Sequence, residues 1–290
     1  MTSFFFLFLF NDLWQNFFGN KTPSASLNQP LAIFRLENFK REEKPNFLQL
    51  NENKLTAEGI IVKEFEGKIL YEKNSQKTFS LASLTKLLSA YLALEKFSPQ
   101  TTFSFDEFTF RNQLTSARFS VGEKANLLEL LSAGLIASNN EAIYLIAKTY
   151  GLEKFTSELN QLLSLWGFRE TKIFEPTGID EKNISTPEEF ADIMFKIYSR
   201  HPEVFSLTQK EYLDLNGKRF WTTNLILRKY NRLIVGAKTG YLPQIGENFA
   251  LLLKFPNSPF ISVVILKSSD RFQDAEIIIK ALAQYYNYDL

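Results

Sequence analysis

Residues 79–88 read Phe-Ser-Leu-Ala-Ser-Leu-Thr-Lys-Leu-Leu and open a long apolar stretch. Apolar residues recur in this stretch at three- and four-residue spacing, which predicts an α-helix over 84–97. Positions three apart lie on one face of a helix, so the hydroxyl of Ser83 and the amine of Lys86 can come within hydrogen-bond reach. The stretch therefore predicts a serine nucleophile with a lysine base beside it.

This pair needs particular surroundings to act in catalysis. A serine hydroxyl is a weak nucleophile until a neighbouring group removes its proton, and a lysine can do so only as the neutral amine. Burial and nearby cations lower the pKa of a lysine, so an apolar helix is a suitable setting. A Ser-x-x-Lys sequence alone arises by chance in most proteins of this length. Its meaning therefore depends on the rest of the chain.

Composition excludes several classes of protein. The 290 residues are 45% hydrophobic, which is enough for a sizeable core. The net charge is +1 and no basic block stands out, so we expect no nucleic-acid partner. The chain has no cysteine, which excludes disulfides and thiolate chemistry. Its one histidine, His201, makes a Ser-His-Asp triad improbable and a His-rich metal site impossible, which favours lysine-assisted hydrolysis.

The first 18 residues contain an uncharged run from Phe4 to Phe10. This run is too short to span a bilayer, which takes about 20 apolar residues. It resembles the core of a secretory signal but lacks the basic leader. An upstream start, an atypical export signal and an interfacial anchor remain open, and a buried terminus is less favoured because a polar stretch follows. We expect a targeting or membrane-associated segment over 1–18 and a proline-containing linker over 19–53.

The remaining chain, 54–290, shows strand patterns at both ends and helical patterns between them. Strands are predicted at 59–63 and 68–71, with a hairpin turn at Glu66-Gly67, and at 234–239, 248–255 and 260–266. Helices are predicted at 84–97, 125–150 with a break at 137–141, 155–166, 187–198 and 274–285, and the spacing of Phe103, Phe105, Phe108 and Phe110 favours two short strands. This order predicts an α+β fold, in which both ends of the domain form one antiparallel sheet around an inserted helical subdomain.

Two further triplets accompany the Ser-x-x-Lys sequence. Ser138-Asn139-Asn140 is a Ser-x-Asn sequence in a connection between helices, and Lys238-Thr239-Gly240 lies at the end of a predicted strand. Ser-x-x-Lys, Ser-x-Asn and Lys-Thr-Gly in this order are the signature of penicillin-binding proteins and class A β-lactamases. Each triplet alone is weak, but their order and structural context together make a strong signal.

The sequence around these motifs resembles the D-alanyl-D-alanine carboxypeptidase type of low-molecular-weight penicillin-binding protein, over about residues 55–286. The similar blocks are Tyr71 to Asn74, Ala82 to Lys86, Leu135 to Ala142, Pro176-Thr177-Gly178-Ile179, Ser185-Thr186, Lys238 to Tyr241 and Arg271 to Ala275. The resemblance implies a serine β-lactamase/DD-peptidase-like fold. Because the chain ends at Leu290, we expect any membrane anchor to be the N-terminal segment.

The resemblance also implies roles for the residues at the centre of the site. Ser83 would be the acylated nucleophile and Lys86 its general base. Ser138 would relay protons towards the leaving group, while Asn140 would hold a substrate amide and orient Lys86. The backbone N–H groups of Ser83 and Tyr241 would form the oxyanion hole.

A second group of residues would bind the substrate. Lys238 would supply positive potential for a substrate carboxylate, and Thr239 a hydroxyl. Gly240 would let an extended substrate approach the strand edge, because a side chain there would block pairing. Arg271 would either face the same carboxylate or form a salt bridge at the start of its helix.

The chain departs from the family pattern at two places. Leu242 and Pro243 follow the Lys-Thr-Gly-Tyr sequence, where relatives commonly have Thr first. Glu175 stands where relatives often have Asn, close to where class A β-lactamases place the glutamate that activates a deacylating water. The lactamase pattern needs an Asn four residues later, and this chain has Ile179. The role of Glu175 is open at this point.

The resemblance thus implies a serine D-Ala-D-Ala carboxypeptidase that acts on peptidoglycan stem peptides through an acyl-enzyme on Ser83. β-Lactams would be covalent inhibitors, and no cofactor or metal is expected. The substrate places the protein in the cell envelope, outside the cytoplasmic membrane. The alternatives are a β-lactamase and a catalytically silent module that binds peptidoglycan or β-lactams. The presence of all three motifs argues against the silent module.

Overall fold

Strands and helices alternate along residues 47–110 and 118–290, the part of the chain that the computed structural model describes. The strands are β1 Gly59–Glu64, β2 Ile69–Lys73, β3 Phe79–Ser80, β4 Thr102–Ser104, β5 Lys124–Asn126, β6 Ile184–Ser185, β7 Tyr212–Leu215, β8 Lys218–Trp221, β9 Ile234–Leu242, β10 Gly246–Lys254 and β11 Phe260–Ser268. The helices are α1 Thr85–Lys96, α2 Glu107–Phe110, α3 Leu127–Ile136, α4 Asn140–Tyr150, α5 Leu152–Leu165, α6 Pro187–Arg200, α7 Glu203–Leu207 and α8 Arg271–Tyr285.

One five-stranded sheet joins the two ends of this chain. Its strand order is β2-β1-β11-β10-β9, and every neighbouring pair is antiparallel. β1 and β2 form the predicted hairpin, in which Gly67 takes a φ of +96° that glycine adopts without steric cost. The strands come from both ends of the domain and the helices lie between them in sequence, so the predicted α+β architecture is confirmed.

Hydrophobic cores cover both faces of the sheet. Successive residues of a strand point to opposite faces, and accordingly Leu251 packs in the core with α8 while Leu252 packs in the core with the inserted helices. Because both faces are covered, all six residues of β1 are buried. The core on the helical side also holds α1, which places the N-terminus of that helix near the sheet.

The inserted helix α6 begins where the sequence predicts. The hydroxyl of Thr186 accepts a hydrogen bond from the N–H of Glu189 at 3.1 Å, and Pro187 occupies the first turn. The cap satisfies a helix N–H group that has no partner inside the helix, and the proline has no N–H to satisfy. The local sequence is therefore sufficient to start this helix.

Some local elements differ from the predictions. Phe108 and Phe110 belong to the short helix α2 and not to a second strand, because Asp106 caps this turn by accepting from the N–H and hydroxyl of Thr109 at 3.0 and 2.7 Å. The hairpin β7–β8 was not predicted, although its Asn216-Gly217 turn, with φ values of +52° and +73°, carries a strong hairpin signal.

The predicted targeting segment 1–18, and the predicted linker as far as residue 46, lie outside the described residues. The last residues of that linker, 47–53, pack against the sheet, since Leu48 is buried and its N–H donates to the carbonyl of Leu70 at 3.0 Å. Within 47–110 and 118–290, no helix is long and apolar enough to cross a membrane.

Candidate active site

Ser83 lies in a single 3₁₀ turn, Ala82–Leu84, that leads directly into α1. The hydroxyl of Thr85 donates to the carbonyl of Ala82 at 2.8 Å and fixes this turn. Lys86 Nζ donates to Ser83 Oγ at 2.7 Å, so the structure brings the predicted nucleophile and base together. Their three-residue separation across the start of a helix is what makes this contact possible.

Lys86 is fully buried, and its environment controls its protonation. Its amine also donates to the carbonyl of Thr177 at 2.6 Å. Burial lowers the pKa of Lys86 to about 7, because the charged form loses its hydration, and the negative charge of Glu175 acts in the opposite direction. The neutral amine that a general base requires is therefore well populated near neutral pH.

Ser138 and Lys238 form a second pair. Ser138 lies between α3 and α4 with a φ of +56°, a conformation that is uncommon outside glycine and concentrates at functional sites. Lys238 projects from β9, and its amine donates to Ser138 Oγ at 2.8 Å and to the carbonyl of Thr239 at 2.8 Å. The structure thus joins the Ser-x-Asn and Lys-Thr-Gly motifs through one hydrogen bond.

The charge of Lys238 depends on what lies near it. Burial lowers the pKa of Lys238 well below its usual value, and the cations Lys86 and Arg271 lower it further. A carboxylate bound beside this amine acts in the opposite direction, because an opposite charge favours the protonated lysine. The site is therefore electrostatically suited to an anionic ligand.

Gly240 allows β9 to lie against the turn that carries Ser83. A Cβ atom at this position would lie 3.0 Å from the carbonyl oxygen of Leu81 and 3.2 Å from Cβ of Ala82. The sequence suggested that a glycine here leaves room for the substrate. The structure adds a second reason, because a side chain at this position would also press against the turn that carries Ser83.

Arg271 lies beside the same strand. Its Nη1 donates to the carbonyl of Gly240 at 2.7 Å, and its Nε lies 3.8 Å from Glu247. The expected ion pair at the start of the helix is therefore present, and a role of Arg271 towards a substrate carboxylate stays a prediction.

Three other predicted residues surround these pairs. The hydroxyl of Thr239 shares a hydrogen bond with the hydroxyl of Thr223, a residue that was not predicted from the sequence to belong to the site. The side chain of Tyr241 is 56% exposed on β9, which is an edge strand of the sheet and so leaves part of its backbone unpaired. Asn140 Oδ1 is buried without a hydrogen-bond partner among the described residues. No hydrogen bond thus joins this oxygen to Lys86 within the described residues, and the role of Asn140 towards a substrate amide stays a prediction.

The side chain of Glu175 holds together the loop 175–178, and the carbonyl of Thr177 in this loop is the second hydrogen-bond partner of Lys86. Its carboxylate accepts from the N–H of Thr177 at 2.8 Å, from the Thr177 hydroxyl at 2.6 Å, from the N–H of Gly178 and from Asn183 Nδ2 at 3.1 Å. A carboxylate has about four lone-pair sites, so these donors occupy its accepting capacity. The loop is built around this side chain.

Gly178 also belongs to the site, although its role was not predicted from the sequence, where it occurs within the family-like block Pro176-Thr177-Gly178-Ile179. It has a φ of +86°, and a Cβ atom there would lie 1.9 Å from the carbonyl oxygen of Ala82 and 2.8 Å from the backbone nitrogen of Ser83. Only glycine fits this position. The turn-forming pattern Pro176-x-Gly178 was the signal that could have indicated a close backbone approach.

Acidic, histidine and cysteine side chains do not gather into a metal site in the described ranges, where no group of three or more could hold an ion. His201, the single histidine, lies between Glu95 and Glu203, with its ring nitrogens 2.6 and 2.9 Å from their carboxylates. It therefore takes part in a surface charge cluster formed by α1 and the start of α7.

The sequence is similar to those of known proteins over most of its length. Residues 46–269 match the sequence model of the D-alanyl-D-alanine carboxypeptidase family. The chain is 26% identical over 246 residues to the D-alanyl-D-alanine carboxypeptidase DacF of Bacillus subtilis, which covers 80% of this chain but only 63% of that protein. It is 22% identical over 236 residues to a D-alanyl-D-alanine endopeptidase of Pseudomonas aeruginosa, covering 78% of this chain and 75% of the relative.

Solved structures show the same fold. Penicillin-binding protein 5 of Haemophilus influenzae aligns with a TM-score of 0.73 at 19% identity, covering 80% of this chain and 71% of that protein. Penicillin-binding protein D2 of Listeria monocytogenes, solved in its cefotaxime-bound form, aligns with a TM-score of 0.71 at 24% identity, covering 78% of this chain and 97% of that protein. Because the family model matches most of the sequence and the fold is the same, the chain belongs to the D-alanyl-D-alanine carboxypeptidase family.

Proposed function

We propose that this protein is a serine D-Ala-D-Ala carboxypeptidase that removes the terminal D-Ala from peptidoglycan stem peptides and is acylated by β-lactams. The observation that carries this proposal is the 2.7 Å contact between Ser83 Oγ and a fully buried Lys86 whose pKa is lowered to about 7. Family membership supports the reaction class. The chain spans 63% of the length of the Bacillus subtilis relative, and the geometry of the site supports the activity independently of that partial match.

The first step forms the acyl-enzyme. Neutral Lys86 accepts the hydroxyl proton of Ser83, and the oxygen attacks the carbonyl carbon of the penultimate D-Ala. Negative charge develops on the carbonyl oxygen, where the backbone N–H groups of Ser83 and Tyr241 stabilise it. The C–N bond then breaks, and Ser138 passes a proton to the departing amine and regains one from Lys238. The products of this step are a Ser83 ester and free D-Ala.

The second step hydrolyses the ester. Water attacks the ester carbonyl, its proton passes to a basic group of the site, and the Ser83 hydroxyl is restored. In a β-lactamase a glutamate would activate this water for a penicillin ester. The carboxylate of Glu175 already accepts from Thr177, Gly178 and Asn183, which leaves it no lone pair for a water. This arrangement disfavours the β-lactamase alternative.

The activity is tested with a diacyl-D-Ala-D-Ala peptide and measurement of free D-Ala. We expect steady release by the wild-type protein and none by Ser83→Ala, because that variant has no nucleophile. Since relatives carry both carboxypeptidase and endopeptidase names, a cross-linked pair of stem peptides is assayed in parallel. Release of D-Ala by Ser83→Ala, or failure of the wild type to release D-Ala from the diacyl peptide, would refute the proposal. Cleavage of the cross-linked pair separates two peptides without freeing D-Ala, so it is followed by the appearance of the separated peptides.

The proposed substrate lies outside the cytoplasmic membrane, and we propose that residues 1–18 direct the protein to the cell envelope. Their composition, an uncharged Phe-rich run, supports an export signal or interfacial anchor. Deletion of residues 1–20 is expected to leave D-Ala release intact and to retain the protein in the cytoplasm, as measured by cell fractionation. Recovery of the shortened protein in the envelope fraction would contradict this role.

A further inference from the structure

We infer that Glu175 is a positioning residue for acylation, which acts through the loop 175–178 on both Lys86 and the backbone of Ser83. This inference rests on the proposed function and assigns a role to a residue that the family signature does not contain. Glu175 itself contacts neither reacting atom. Its influence passes through Thr177, Gly178 and Asn183.

The first connection runs through Thr177. The carboxylate of Glu175 accepts from the N–H of Thr177 at 2.8 Å and from its hydroxyl at 2.6 Å, while the carbonyl of the same residue accepts from Lys86 Nζ at 2.6 Å. Thr177, which orients Lys86, is thus held by Glu175 through both its backbone N–H and its hydroxyl. Loss of the carboxylate would free this residue to move and Lys86 to turn away from Ser83.

The second connection runs through Gly178 to the backbone of Ser83. The N–H of Gly178 donates to Glu175, and Gly178 lies directly against the Ala82–Ser83 peptide, where even a methyl group would not fit. That peptide carries the Ser83 N–H assigned to the oxyanion hole. A shift of the loop would therefore displace an oxyanion donor as well as the base.

Asn183 supplies a third connection from the other side of the turn. Its side-chain Nδ2 donates to Glu175 Oε1 at 3.1 Å and to the Thr85 hydroxyl at 3.2 Å. Its backbone carbonyl accepts from the N–H of Leu81 at 2.7 Å. Leu81 and Thr85 lie on either side of Ser83 in the chain. The carboxylate therefore connects to both ends of the nucleophile turn.

The charge of Glu175 has a separate effect. It raises the pKa of Lys86, against the larger effect of burial. An uncharged amide at this position could form some of the same hydrogen bonds but could not supply this charge. Glu175 thus combines a geometric role with an electrostatic one, and the two can be measured apart.

The test is the pH dependence of acylation by a fluorescent penicillin in Glu175→Gln and Glu175→Asp. For the wild type we expect the rate to rise with pH through a midpoint near 7, where Lys86 loses its proton. Glu175→Gln removes the charge, so its midpoint moves to lower pH by roughly half a unit or more. Its plateau falls about ten- to a hundredfold, because an NH₂ group replaces one of the acceptors that hold the loop. Glu175→Asp keeps the charge, so its midpoint stays near that of the wild type while its plateau falls.

The matched control is Glu181→Gln, which removes one negative charge from an exposed position beyond the loop and leaves both midpoint and plateau unchanged. An unmoved midpoint in Glu175→Gln, or an unchanged plateau in Glu175→Asp, overturns the inference.

A second measurement follows the lifetime of the penicilloyl adduct by intact-mass spectrometry. This lifetime is expected to be long in the wild type and in both variants. Fast loss in wild type with a trapped adduct in Glu175→Gln would instead make Glu175 a deacylation base. A wild type that forms no adduct refutes the proposed function itself.

Discussion

Lys86→Met is expected to slow acylation of Ser83 by about two to four orders of magnitude, the usual contribution of a general base. Methionine fills a buried volume similar to that of the lysine stem, so the packing around α1 is kept while the amine is removed. Without the amine, the Ser83 hydroxyl loses the group that contacts it and would accept its proton, and the Thr177 carbonyl loses the Lys86 donor. The rate of labelling by a fluorescent penicillin measures the effect directly.

Lys96→Met is the matched control for this substitution. Lys96 lies in the last turn of the same helix and pairs with Glu158. Its removal is expected to leave the acylation rate unchanged, because the amine lies at the end of α1 remote from Ser83. An acylation rate in Lys86→Met equal to that of the wild type would show that another group is the base.

Gly178→Ala is expected to reduce acylation at least about a hundredfold, through displacement of an oxyanion donor and of the loop that holds Lys86. The new methyl group would lie 1.9 Å from a backbone oxygen, so either the loop or the Ser83 turn must move. The left-handed conformation of residue 178 adds about 1–2 kcal/mol of strain for alanine. Penicillin labelling and thermal unfolding are measured on the same sample.

Gly167→Ala separates strain from steric overlap. Gly167 has a φ of +88°, nearly that of Gly178, but apart from its two chain neighbours no heavy atom of residues 47–110 and 118–290 lies within 4 Å of the position that its Cβ would occupy. This control is expected to lower thermal stability slightly and to leave the acylation rate unchanged. Equal acylation by Gly178→Ala and Gly167→Ala would show that contact with the Ser83 peptide is not required.

Local sequence was sufficient for much of the fold and for one half of the site. Ser83 and Lys86 meet because they are three residues apart at the start of a helix, and Thr186-Pro187 starts α6 through its own cap. The strands at both ends were visible in their apolar runs. The prediction from local spacing was wrong at Phe108. The alternating phenylalanines resemble a strand, but Asp106 caps a helical turn there.

From the sequence alone we could predict which residues belong to the three motifs and in which order the strands and helices carry them, because both are properties of neighbours along the chain. The tertiary structure alone decided the contacts of Lys86 with Thr177 and of Lys238 with Ser138, which join positions 91 and 100 residues apart. It also decided the protonation of both amines, since the pKa of a lysine follows its burial and the charges around it. The roles of Gly178 and Glu175 belong to this second class: no local pattern shows which backbone a loop will lie against, because that is set by how distant segments pack.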